Sequence, residues 1–182
     1  MTAKALIRVW DPFVRLFHWS LALSIATAWW LSTEEWRSAH EAAGYVACVL
    51  VAARIFWGFL GSRYARFTQF VRPPSTVVAY LAAISLGSEH RYLGHNPAGG
   101  AMIVVLLAAI VATATTGWLL TTDLFWGSRP TQVLHSLCGN GVVVLVSAHI
   151  MGVVLASWRH RENLVRAMVT GFKRAPGPAD IA

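Results

Sequence analysis

Three stretches of this chain, residues 16–33, 92–122 and 130–158, contain no Asp, Glu, Lys or Arg, and a fourth, 42–62, holds only Arg54. A helix needs roughly 20 apolar residues to cross a hydrocarbon core. In lipid, a segment outside a closed barrel satisfies its backbone only by being helical. The four windows therefore predict an all-α membrane protein, a four-transmembrane-helix bundle. They take up most of the 182 residues, of which 56 % are hydrophobic and 13 % charged. One transmembrane domain over residues 1–175 is expected, followed by a disordered tail, 176–182, that opens on Pro176-Gly177-Pro178. Lys4 and Arg8 before the first run imitate a signal peptide. That run is too long for a signal core, however, and lacks a small-x-small site ahead of Glu34 and Glu35.

The connection from about residue 62 to residue 97 holds a further apolar stretch. Arg72-Pro73-Pro74-Ser75 has the character of a helix start, and Val77, Val78, Tyr80, Leu81 and Ile84 supply an apolar face. The stretch is too short to span, so it predicts a short cytoplasmic interfacial helix.

Basic residues retained on the cytoplasmic side set orientation. Four spans place both termini and the middle loop on one side. That side collects Lys4, Arg8, Arg15, Arg54, Arg63, Arg66, Arg72, Arg91, Arg159, Arg161, Arg166, Lys173 and Arg174. The other has Arg37 and Arg129 beside Glu34, Glu35, Glu41 and Asp123. Both termini are expected in the cytoplasm. The net charge of +7 borders membrane spans, where anionic lipid is a simpler partner than nucleic acid.

Of the seven histidines, His18, His40, His135 and His149 fall within or at the ends of the windows. Ionisable groups at membrane depth are costly and need partners. His135 and His149 are 14 residues apart, which on a helix is about 21 Å of rise and about 40° short of whole turns. They share a face at two depths. His18 opens the helix leaving the cytoplasm and His40 opens the one returning to it. His18 should therefore be level with His149, and His40 with His135. Two facing pairs at two depths are what two stacked bis-histidine haems require. Gly44, Gly139 and Ala22, each one turn beyond a histidine, leave room for a flat cofactor. A non-haem metal would want ligands clustered at one depth, with carboxylates or cysteines nearby. Cys48 and Cys138 form no Cys-x-x-Cys-His motif, so any haem is held non-covalently, and both read as small buried residues. The alternative is four histidines that only hydrogen-bond between helices.

Other residues keep two readings. Arg54 and Arg15 either snorkel or pair with haem propionates, and Arg37 and Arg129 are the outer cations available for the same task. His90, His95 and His160 read first as solvated or headgroup-contacting, with His95 also placed to approach the cytoplasmic haem or a quinone headgroup. Thr113, Thr115, Thr116 and Gly117 give the third window a small-residue side for close helix contact. Arg72, His95 and Glu162 are candidates for handling protons. A transporter using these histidines would show repeats or interrupted helices; neither is visible. A haem-free anchor remains a rival.

Taken together, Val9-Trp10-Asp11-Pro12 leading to Arg15 and His18-Trp19, His40-Glu41 with Gly44, Arg54, Trp57-Gly58-Phe59, Gly61, Arg72-Pro73-Pro74, residues 92–100, His135, His149 and Glu162-Asn163-Leu164 to Gly171 resemble the bacterial cytochrome b561 family, which includes the cytochrome b subunits of nickel-iron hydrogenases. The resemblance implies two haems b, on His18 and His149 and on His40 and His135. It also implies a bacterial inner-membrane location and electron exchange between quinone and a periplasmic partner, a cytochrome c or a dehydrogenase or hydrogenase subunit. Whether the chain is an enzyme or an enzyme's membrane subunit is left open by it. A self-contained oxidoreductase passing electrons from superoxide or another small donor to quinone is the rival within the same chemistry.

Overall fold

The computed structural model describes residues 5–182. In chain order they form strand β1 (Leu6–Arg8), helices α1 (Pro12–Trp30), α2 (Arg37–Leu60), α3 (Phe67–Phe70), α4 (Pro74–Leu86), α5 (Pro97–Leu119), α6 (Arg129–Arg159) and α7 (Leu164–Thr170), then strand β2 (Phe172–Arg174). Among the described residues, three helical stretches are long and apolar enough to cross a membrane: Glu34–Leu60, Pro97–Leu119 and Arg129–Arg159. The 19-residue α1, which carries Arg15 and His18, is not among them. Val49, Phe59, Leu137, Val144 and Met151 are all exposed, a surface suited to hydrocarbon rather than water. Cys48, expected to be buried, is exposed as well, because it lies on the outward side of α2 with Tyr45, Val46 and Val49.

The chain divides into two compact units, the first made of Met1–Arg15, Trp57–Val104 and Ala148–Ala182, the second of Leu16–Phe56 and Val105–Ser147.

In the first unit β1 and β2 pair antiparallel, Leu6 opposite Arg174 and Arg8 opposite Phe172. Val9, Trp10, Val14, Ala65 and Ala167 form its core, with Ile7, Trp57, Tyr64 and Met168 packed against it. Asp11 explains where α1 starts. One carboxylate oxygen accepts the Val14 amide at 2.9 Å, an N-terminal cap, while the other accepts the Trp57 indole N–H and the Ser62 hydroxyl. Burial pushes the Asp11 carboxyl up, but the bonds from Ser62, Val14 and Trp57 outweigh it and hold the group below its ordinary value.

α7 ends at Gly171, whose φ of +88° is left-handed. Its carbonyl accepts the amides of Val9 and Trp10 at 2.9 and 3.1 Å, and a Cβ there would sit 2.7 Å from the Trp10 carbonyl oxygen. Gly171→Ala is expected to cost about 2 kcal/mol through strain and collision. The measurement is a lowered thermal midpoint in detergent.

A charge cluster closes this unit. Lys173 and Arg91 are 4 % and 5 % exposed. Arg91 donates to both Glu162 oxygens, at 2.7 and 3.0 Å, and to Asp180. The Lys173 ammonium donates to the carbonyls of Tyr92 and Leu93 at 3.0 and 2.8 Å and lies 3.5 Å from Glu162. The terminal residues that composition marks as a disordered tail have partners here. The Leu93 amide donates to the Ile181 carbonyl and the Ile181 amide to the Arg91 carbonyl, both at 2.9 Å.

In the second unit the buried side chains of α2, Ala43, Ala47, Val51 and Arg54, recur every three or four residues and make one helical stripe. His40 begins that stripe. On α6, Thr131 and Val142 are buried, and His135 lies one turn after Thr131 on the same face.

Candidate functional site

His40 sits in the first turn of α2, and the short link from Leu31 to Trp36 folds that turn back beside the end of α1. The last carbonyls of a helix have no amide of their own helix to accept from. One of them, Ala28 O, lies 2.8 Å from His40 Nδ1. A carbonyl can only accept, so Nδ1 carries the proton and Nε2 keeps the lone pair.

His135, in the second turn of α6, repeats the arrangement. Its Nδ1 lies 3.1 Å from the Thr113 carbonyl and 3.2 Å from the Thr116 hydroxyl. Gly117 lets α5 approach, since a Cβ there would meet His135 Cε1 at 2.9 Å. The two rings face each other with centroids 5.9 Å apart and planes crossed at 83°. Two imidazoles sharing one metal at about 2 Å per bond put their centroids roughly 6 Å apart. Ligating histidines characteristically donate their other ring N–H to a backbone carbonyl, as both of these do. A Cβ at Gly44 or at Gly139 would meet nothing within 4 Å, so there is open space one turn beyond each histidine. Among the described residues no three His, Cys, Asp or Glu side chains gather into a metal cage. The pair would offer two imidazole nitrogens, the number of donors a haem iron can take from its protein beyond the macrocycle.

His18 belongs to the second unit and lies edge-on to Trp19, ring centroids 5.0 Å apart. His149 belongs to the first unit. Arg54 is 3 % exposed, so its head does not snorkel to a surface. Arg15 is half-buried in the first unit, its Nη1 close beside Gly171. Arg37 is engaged: its Nε donates to Glu41 at 2.9 Å, Glu34 lies 3.9 Å away, and its guanidinium covers the Trp126 ring at 4.7 Å.

Of the remaining histidines, His95 departs from the solvated reading, whereas His90 is exposed. His95 packs between Trp10 and Phe70, at centroid distances of 4.6 and 4.9 Å. His90 Nδ1 lies 3.2 Å from the Ala179 carbonyl. Glu162, a candidate for handling protons, has both oxygens taken by Arg91. Burial pushes its carboxyl up, yet Arg91 and Lys173 prevail and hold it below its ordinary value. Sequence reasoning did not find the carbonyls of Ala28 and Thr113 as partners of the histidines. The only advance sign was the small-residue side of the third window, which includes Thr113 and Thr116.

Residues 9–171 match the family described as prokaryotic cytochrome b561. A probable Ni/Fe-hydrogenase B-type cytochrome subunit of Rhodobacter capsulatus is 27 % identical over 92 % of this chain and 81 % of its own length. Proteins of the same description from Azotobacter vinelandii and Cupriavidus necator are 26 % and 24 % identical, covering 92 % and 91 % of this chain and 88 % and 86 % of their own. No solved structure matches.

Proposed function

We propose that this chain, which belongs to the prokaryotic cytochrome b561 family, passes electrons across the bacterial inner membrane between quinone and a redox partner on the periplasmic side. The chemistry of the family is membrane electron transfer on haem b, and the chain is an integral membrane protein. Haem b supplies a one-electron ferric/ferrous couple. In this reading His40 and His135 hold one haem and His18 and His149 a second, with α1 as the fourth span and α4 lying at the cytoplasmic interface. Arg54 and Arg15 are proposed to pair with propionates, because a guanidinium forms charge-assisted bonds to carboxylates. Both termini are placed in the cytoplasm. The names of the relatives favour a hydrogenase subunit as partner, with a c-type cytochrome or another dehydrogenase as further members of the same class.

One observation carries the reading. Two imidazoles from different helices face each other at 5.9 Å, each with its Nδ1 against an acceptor oxygen. With Nδ1 held by an acceptor, the neutral ring of each histidine carries its lone pair on Nε2, the atom that would bind iron. Haem irons each held by two histidines would offer no vacant site to oxygen, and electron exchange would be the chemistry left.

The test is haem quantitation and a reduced-minus-oxidised spectrum on protein purified from haem-replete cells, then reduction by a short-chain quinol in vesicles. Two haems b per chain, both reduced by quinol, is the expected result. Haem-free protein, or a single haem, overturns the proposal.

A further inference from the structure

We propose that Thr116 is a positioning residue that lowers the reduction potential of the iron bound by His135; this rests on the reading of His40 and His135 as axial ligands. Hydroxyls inside helices commonly bond back to the preceding turn, and several here do only that: Ser24 to Ser20, Thr113 to Ala109 and Ser147 to Val143. Thr116 does more. Its hydroxyl proton is directed to the carbonyls of Ala112 and Thr113, both at 2.9 Å, which turns an oxygen lone pair toward His135 Nδ1 at 3.2 Å. The His135 N–H is therefore shared between two acceptors, the Thr113 carbonyl and the Thr116 hydroxyl. The His40 Nδ1 bond is to one, Ala28 O.

An acceptor on the far nitrogen of a ligating imidazole draws its proton outward and makes the coordinating nitrogen more basic. A more basic ligand favours ferric over ferrous iron and so lowers the potential. Thr116 is 7 % exposed, so water does not compete for the bond and the surroundings do not screen it. Gly117, the next residue, sets the ring against α5 at a distance that a methyl group would not allow. The ring is thus oriented by one residue and seated by its neighbour.

Three substitutions separate tuning from scaffolding. Thr116→Val removes the hydroxyl at nearly constant shape, Thr116→Ser keeps it, and Ser24→Ala deletes a buried hydroxyl that only back-bonds. Spectroscopic redox titration of each haem, with haem content measured on the same samples, is the experiment. In Thr116→Val one haem should rise in potential by about 30 to 60 mV, a threefold to tenfold shift toward the reduced form at 59 mV per tenfold. The other haem should hold its value, and Thr116→Ser and Ser24→Ala should titrate as wild type. Thr116→Ala should shift the same haem in the same direction, which keeps the test open if valine disturbs packing.

An unmoved potential in both Thr116→Val and Thr116→Ala, or an equal shift in Ser24→Ala, overturns the proposal. Failure of the underlying reading looks different: His135→Ala would then leave haem content unchanged, whatever the Thr116 variants do.

Discussion

His135→Ala should reduce the haem content from two per chain to one, and His40→Ala should remove the same haem, so that the double variant loses no more than either single one. This follows from the pairing of the two rings across α2 and α6. On the proposed ligation, removing either histidine would leave that haem with one protein donor. His18→Ala and His149→Ala should delete the other haem, and combining one variant from each pair should leave none. The readout is the pyridine haemochrome against protein concentration, with the two haems told apart by their titration curves. If all four single variants lost both haems equally, or none, the assignment of ligands would fail. Fold stability should change much less than haem content, since the imidazole bonds to Ala28 and Thr113 are each worth about 1 kcal/mol net.

Glu162→Gln should produce the largest loss of stability. Glutamine leaves two cations, Arg91 and Lys173, buried without their shared carboxylate, and breaking a buried ion pair from one side costs about 3–5 kcal/mol. Asp180 remains on Arg91, which places the expectation toward the lower end. The thermal midpoint in detergent should fall by roughly 6–12 °C at 2–4 °C per kcal/mol.

The pH dependence has a definite sign. Glu162 and Asp180 both titrate below their ordinary values: burial raises each, but Arg91 prevails on both, helped on Asp180 by the Gly177 amide. Their contribution is therefore fully present above the ordinary carboxyl range and is lost as the pH falls through their folded values. Lys173 runs the other way. Burial pulls its ammonium down to about 8 against the pull of Glu162, so the folded protein gains stability as the pH rises from about 8 toward the ordinary lysine value. In Glu162→Gln the counter-charge is gone and Lys173 should titrate lower still. The variant should regain part of its loss between pH 7 and 9, and a flat midpoint over that range would count against the cluster as described.

Much of the helical layout was legible because the absence of charge along the chain leaves little choice. The window 42–62 became Arg37–Leu60, 92–122 became Pro97–Leu119, and 130–158 became Arg129–Arg159. The boundaries moved where local chemistry intervened: the Asp11 carboxylate starts α1 ahead of the charge-free stretch. His40 and His135 were legible as a pair because helix rise and topology alone put them at one level. Their hydrogen-bond partners were not, since a backbone carbonyl leaves no trace in residue identity.

Charge was the least transparent signal. Arg91 and Lys173 read as two of many basic residues facing headgroups, yet both are buried against carboxylates. Pro176-Gly177-Pro178 reads as disorder because propensity is local, whereas Ile181 is paired by residues far back in the chain.

The pairing of β1 with β2 also orders events during synthesis. The ribosome delivers Leu6–Arg8 before helices α1 to α7 and Phe172–Arg174 after all of them. The first strand therefore emerges with no partner to pair with, and the long loop between the two strands must close before their contact contributes anything. The strand pair that borders the core of Val9, Trp10 and Ala167 therefore forms only after the whole chain has been made.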